Sequence, residues 1–227
     1  MLLVDGMWFR FQRRPWVLYN MAVKPLAANQ AHFLDPLLLP GVEHALHWQR
    51  ALDTIEMPVV GRVRALVSDG FRGSERIARH YGWVHQRCHS HMLLLLKNRL
   101  GRWRPGIGAT KLRESVHQAI NETLRTIDPP RLAELHQLLV EYALDSDCPR
   151  RLRGVIRQYL REDDAFRSYL QHPELRLPTT ICTMEAMHRL MREAVRGISR
   201  PQPLLARIKA FLRFRSTIIC NGKIPQN

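Results

Sequence analysis

Leu2-Leu3-Val4-Asp5-Gly6 and Ala65-Leu66-Val67-Ser68-Asp69-Gly70 are the two stretches that decide how this chain is read. Each is a short apolar run ending in aspartate and glycine. An apolar run bounded by a turn signal describes a buried strand, and such a strand delivers the acid at its end to a crevice shared with its neighbours. Taken alone, Asp-Gly after such a run is an ordinary turn. Here there are two, and a third acid, Glu185, stands far downstream on a helical pattern otherwise studded with arginine. Three carboxylates brought together by strands and a helix are the hard oxygen ligands that two divalent ions sharing one carboxylate require.

Working outward, Leu2 to Phe11 and Trp16 to Val23 read as consecutive strands with a break at Arg13-Arg14-Pro15, and Ala31 to Leu38 as a third before Pro40-Gly41. Aromatic and β-branched residues between turn residues favour an antiparallel meander. Val42, Ala45, Leu46, Trp48, Leu52 and Ile55 make a helical stripe that Pro58 stops. Val63 to Ser68 is the next strand, about Gly73 to His80 a helix, and Trp83 to Arg87 a short strand. Strands first, then α and β in alternation, imply an α/β fold with a mixed sheet and flanking helices.

From about Met92 to Leu175 the pattern changes. Leu93-Leu96-Leu100, Leu112-Val116-Ile120-Leu124, Leu132-Leu135-Leu139-Tyr142 and Leu152-Ile156-Tyr159 repeat at helical spacing, and no strand pattern appears. Breaks at Arg104-Pro105-Gly106, Asp128-Pro129-Pro130 and Cys148-Pro149 separate these helices. The expected organisation is a first α/β part over 1–91, an all-helical insertion over 92–176, and a closing part over 177–227.

In the closing part, Thr180 or Thr183 is a candidate N-cap for a helix from about Met184 to Gly197. At 100° per residue, Arg189, Arg192 and Arg196 fall within about 40° of Glu185, whereas Met187, Met191, Ala194 and Ile198 lie roughly 180–240° away. The acid and the arginines therefore share a face. A second basic helix follows Pro203, with Leu204, Ile208, Phe211 and Leu212 packing inward.

Composition narrows the partner. The 227 residues carry 35 Lys+Arg against 20 Asp+Glu, a net charge of +15, which points to a polyanion. Nine of the basic residues and one acid fall between Ala186 and Lys223, so nucleic-acid contact is expected there. No stretch approaches the roughly 20 apolar residues that span a bilayer, and Asp5 comes too early for a signal peptide, so a cytoplasmic location is expected. Cys88, Cys148, Cys182 and Cys220 form no C-x-x-C pair, which argues against a disulfide framework and a four-cysteine zinc site.

An i,i+4 pair of Glu185 with Arg189 on a solvated face is worth only about 0.3–0.5 kcal/mol and leaves the single acid in an arginine stripe unexplained. A metal-ligand carboxylate among phosphate-binding arginines explains both.

Leu3-Val4-Asp5-Gly6, Val67-Ser68-Asp69-Gly70, Gln86-Arg87-Cys88-His89-Ser90-His91 and Pro178-Thr179-Thr180 through Thr183-Met184-Glu185 resemble, in order and spacing, successive motifs of bacterial insertion-sequence transposases of the Mutator-like DDE group. The resemblance covers essentially the whole chain. It implies an RNase H-like catalytic domain with a helical insertion before the last acidic helix, in which Asp5, Asp69 and Glu185 hold two Mg²⁺ or Mn²⁺ ions. It implies cleavage and transfer of DNA strands at one site without a covalent protein–DNA intermediate. Arg189, Arg192 and Arg196 are then phosphate contacts, the partners are transposon ends and target DNA, and a homo-oligomer on DNA is expected.

Cys88 and His91 form the C-x-x-H pair typical of that group. Zinc needs four ligands and no second pair stands at suitable spacing, so a structural or DNA-positioning role is expected ahead of a metal site. Transposases of this type also carry a DNA-binding region ahead of the first catalytic strand, and Asp5 is the fifth residue here, so a shortened copy or a separately encoded region is expected. Two alternatives remain open at this stage: a stand-alone nuclease on the same fold, and a non-catalytic DNA-binding remnant that regulates an intact transposase.

Overall fold

In a computed structural model of the chain, which describes residues 1–26, 28–97, 109–215 and 217–219, the first apolar run does not stop at Asp5-Gly6. It continues as β1 (Leu2–Phe11), paired antiparallel along its whole length with β2 (Arg14–Val23). The turn between them is Gln12-Arg13, both with positive φ. The break therefore falls earlier than Arg13-Arg14-Pro15, and Pro15 lies within β2 opposite Arg10.

The expected third strand is two, β3 (Gln30–Phe33) and β4 (Leu37–Pro40), both antiparallel to β2. Phe33 faces Ala22 and Leu37 faces Tyr19, so four steps along this segment match three along β2. One residue is in excess, as in a β-bulge, and Asp35-Pro36 at that point cannot continue a regular ladder.

The chain then forms α1 (Ala45–Leu52), α2 (Met57–Val60), β5 (Ala65–Ser68), α3 (Ser74–His80) and β6 (Val84–Arg87). The His44 ring caps α1 by accepting from Leu46 N–H at 3.1 Å. Pro58 opens α2 instead of merely stopping α1, because the first turn of a helix needs no N–H from that position. Val42 and Leu46, expected on the apolar stripe, are exposed.

The chain forms two compact units, Met1–Arg87 with His172–Asn227, and Cys88–Gln171. The second unit holds α4 (His89–Leu96), α5 (Thr110–Thr123), α6 (Pro129–Leu144) and α7 (Arg150–Gln171). Its core is Val116, Ile120, Leu139, Leu152, Ile156, Tyr159 and Phe166 with their neighbours. Asp128 caps α6 by accepting from Arg131 N–H at 3.3 Å, which is what the Asp-Pro-Pro break does locally. Leu100 and Arg104-Pro105-Gly106 lie outside the described residues.

Returning to the first unit, the chain forms α8 (Cys182–Ala194), α9 (Pro201–Phe214) and β7 (Thr217–Ile219). Neither Thr180 nor Thr183 caps α8; Ile181 occupies that position with no side-chain hydrogen bond, and the helix ends at Ala194. Leu204, Ile208 and Leu212 of α9 are buried as expected, while Phe211 is only partly so. β7 was not legible as a strand; it pairs antiparallel with β3. Cys220 and Lys223 lie outside the described residues.

The result is an α/β unit with a mixed sheet in the order β6-β5-β1-β2-β3-β7 and β4 beside β2. β1 is central, antiparallel to β2 and parallel to β5, which is in turn parallel to β6. On one face Leu2, Val4, Tyr19, Met21 and Leu66 pack around Trp48 of α1 and Ile77 of α3. Truncating a fully buried aromatic such as Trp48, 1% exposed, costs about 3–5 kcal/mol. Alternation then gives Leu3, Asp5 and Met7 to the other face, where α8 packs on β1. No described helix is long and apolar enough to cross a membrane.

Candidate active site

β1 and β5 run in parallel with Leu3 opposite Val67 and Val4 opposite Ser68, and the next step along each brings Asp5 and Asp69. The alternation that puts Leu3 and Val67 on one face puts both acids there too. One carboxylate oxygen of Asp5 lies within 4.8 Å of one of Asp69, and Asp5 is only 5% exposed. Two unit charges at that separation repel by about 3 kcal/mol at an effective dielectric constant near 20. A cation between them removes that repulsion and gains two hard oxygen ligands.

The two Asp-Gly pairs are built differently. Asp69-Gly70 is a turn: Phe71 N–H donates to Asp69 Oδ1 at 3.0 Å and Gly70 N–H to Ser68 Oγ at 3.2 Å. Gly70 has φ +87°, and a Cβ there would lie 1.7 Å from the guanidinium carbon of Arg87. Arg87, buried at the end of β6, donates from Nη2 to the Asp69 carbonyl at 3.0 Å. Asp5-Gly6 lies within β1 and is no turn. Gly6 faces away from Asp5, and a Cβ on it would meet Glu43 Oε1 at 2.7 Å, the oxygen that accepts from Trp48 Nε1 at 2.9 Å. The sequence signal was the same; only one of its two glycines serves a positive φ.

On the β2 side, Asn20 is the direct cross-strand partner of Asp5. His188 of α8 joins them: its Nδ1 is 3.4 Å from Asp5 Oδ2 and its Nε2 is 2.9 Å from Asn20 Nδ2. Glu185 is partly buried in the first turn of the same helix, one turn before His188. Its carboxylate is not among the ligand atoms gathered within 4.8 Å around Asp5 and Asp69.

The arginine stripe divides. Arg189 and Arg196 are exposed, the latter in the turn after α8. Arg192 donates from Nη1 to the Trp8 carbonyl at 3.1 Å and lies over the Phe9 ring at 5.5 Å, so its guanidinium ties α8 to β1.

Cys88 is the buried N-cap residue of α4, with Sγ 3.0 Å from Ser90 Oγ, and His91 stands in the first turn of that helix in the second unit. Among the described residues no three-ligand group contains Cys88. His85 is bonded through Nε2 to Ser68 Oγ at 3.0 Å, and burial pushes its pKa down to about 4, so it is neutral at pH 7.

Asn20 and His188 were not singled out by the sequence, and Arg87 appeared only as part of the motif over 86–91 with no role of its own. Asn20 left a signal as the one polar residue in the apolar run Trp16 to Val23, and His188 as a residue within 60° of Glu185 on the helical wheel. Comparison of the chain with protein-family models and with curated proteins finds no match.

Proposed function

We propose that this chain is the catalytic region of a DDE transposase of the Mutator-like insertion-sequence group, an RNase H-like fold that cleaves and joins DNA strands with divalent metal. The observation that carries the reading is the meeting of Asp5 in β1 with Asp69 in the turn that ends the parallel neighbouring strand β5, with oxygens within 4.8 Å in a chain of net charge +15. The mixed sheet and the arrival of Glu185 on the helix that packs on β1 support it.

The donor set fits Mg²⁺ or Mn²⁺: two carboxylates, both hard oxygen donors, with a third acid on α8. Asp5 and Asp69 would hold the metal, with Glu185 as the third ligand. When bound, divalent ions supply a nucleophilic oxygen at neutral pH and neutralise the leaving oxygen. The protein's own share is to hold Asp5 rigidly in the central strand and Asp69 in a turn braced by Arg87. Arg189 and Arg196 offer exposed cations to phosphates regardless of base sequence.

The test measures Mg²⁺-dependent cleavage and strand joining separately on DNA carrying the element's ends. Cleavage with joining is the expected result. Cleavage without joining makes the protein a nuclease, and binding without either makes it a DNA-binding remnant.

A further inference from the structure

We infer that His188, backed by Asn20, is a positioning residue for Asp5: it fixes the rotamer in which that carboxylate offers its oxygens toward Asp69. The inference rests on the reading of Asp5 as a metal ligand and names a group that reading does not include.

The argument starts from the sheet. Asp5 and Asn20 are register partners in the β1–β2 ladder, so their side chains stand next to each other on one face. A single residue of α8 reaches both: His188 Nε2 stands 2.9 Å from Asn20 Nδ2 and Nδ1 stands 3.4 Å from Asp5 Oδ2. All three are nearly inaccessible, with exposures of 5% for Asp5, 0% for Asn20 and 9% for His188.

Asn20 Nδ2 can only donate, so Nε2 of His188 accepts. The neutral ring then carries its proton on Nδ1, the nitrogen that faces Asp5. An amide sets the tautomer of an imidazole, and the imidazole presents a donor to a carboxylate. The carboxylate facing that donor is the one within 4.8 Å of Asp69. With one oxygen, Oδ2, beside His188, Asp5 is held against rotation about its side-chain bonds.

Outer partners of this kind matter because a ligand that must be ordered at the moment of binding loses affinity, by a factor of 10–100 in typical cases. Mn²⁺ binding to the full chain without DNA, followed by electron paramagnetic resonance, reads this directly. Three proteins are compared: the parent, His188→Ala, and His188→Asn, whose amide nitrogen takes the place of Nδ1. Urea unfolding of each reports stability separately.

The expected result is a Kd raised about 10- to 100-fold in His188→Ala and restored to within about threefold of the parent in His188→Asn. Asn20→Ala should raise Kd by a smaller factor. Equal Mn²⁺ affinity in the parent and His188→Ala overturns the inference while leaving the metal site standing. A loss of affinity in both variants in proportion to lost stability also overturns it, since that marks a packing role. No Mn²⁺ binding by the parent overturns the metal reading and this inference with it.

Discussion

Asp5 and Asp163 are both buried aspartates, 5% and 8% exposed, each in its own compact unit and each with a histidine nitrogen beside it, and they differ in the charge that stands next to them. Around Asp163 the second unit assembles donors and charge: Tyr159 Oη–H donates to Oδ1 at 2.6 Å, while His136 Nε2 at 3.3 Å and Arg167 Nε at 3.7 Å stand by Oδ2. Arg167 also donates to the carbonyls of Thr123 and Thr126 at the end of α5, and Tyr159 meets Thr123 Oγ1 at 2.6 Å. That network satisfies the helix end and the acid together. Asp5 has His188 Nδ1 3.4 Å from Oδ2, but it also faces a second carboxylate within 4.8 Å. A buried acid with a matched cation belongs to the architecture. A buried acid facing another acid works against stability, and such places are where ligand chemistry is found.

Substitution separates the two most sharply. Asp163→Ala leaves Arg167 buried beside no carboxylate and should cost about 3–5 kcal/mol in urea unfolding. Asp5→Asn removes one of two repelling charges while keeping an amide oxygen to face His188 Nδ1, and should leave stability unchanged or higher. If Asp5→Asn destabilises as much as Asp163→Ala, the two acids are alike and the contrast fails.

The turn that carries Asp69 should be the next most sensitive point. Gly70→Ala forces a side chain into a positive φ and onto the Arg87 guanidinium, for a loss of about 2–3 kcal/mol. Gly82, with φ +67° and nothing within 4 Å, carries the backbone strain alone, so Gly82→Ala should lose about 1 kcal/mol. Equal losses would mean that Arg87 does not brace the turn.

Acid should weaken both units with one sign. Burial lowers His85 in the first unit and His89 in the second from 6.5 to about 4. Between those values the unfolded chain binds more protons than the folded one, so stability is full above pH 6.5 and falls as pH drops toward 4. Each histidine accounts for on the order of 1–3 kcal/mol over that window. Urea midpoints at pH 7 and pH 4.5 should show the fall, and His85→Gln should flatten it; a parent midpoint independent of pH over this range contradicts the burial of both rings.

The smallest effects concern arginines. Arg189→Gln with Arg196→Gln should lower the slope of log K for DNA against log salt by up to roughly 1.8 at unchanged stability, about 0.9 per duplex phosphate contact. Arg192→Gln should instead lose about 0.5–1.5 kcal/mol of stability with its bond to Trp8. The reverse assignment would place the phosphate contact on Arg192.

Particular residues show how far the sequence could be read. β1 was legible because Leu2 to Phe11 carries no turn residue besides Asp5-Gly6, the β5 run was short and apolar, and β6, Val84 to Arg87, was legible only as a short segment after the α3 helix signals. The bulge at Asp35-Pro36 was not, since a one-residue excess shows only against the register of β2. β7 has three residues, too few to carry a period. Within the site, Asp5 and Asp69 announced themselves by their position after apolar runs. Asn20 and His188 did not, because a lone amide in a strand and a lone histidine in a helix gain meaning only when the β1–β2 register sets Asn20 opposite Asp5.

The central claim is that Asp5 and Asp69 form a metal-dependent centre acting on DNA. It is tested most directly by DNA cleavage with Mg²⁺ or Mn²⁺ in the parent, Asp5→Asn and Asp69→Asn, with DNA binding measured in parallel. The account predicts cleavage by the parent that chelation abolishes, none by either variant, and DNA binding that is equal or slightly tighter in the variants. Cleavage that survives in either variant, or that persists in the parent after chelation, contradicts it.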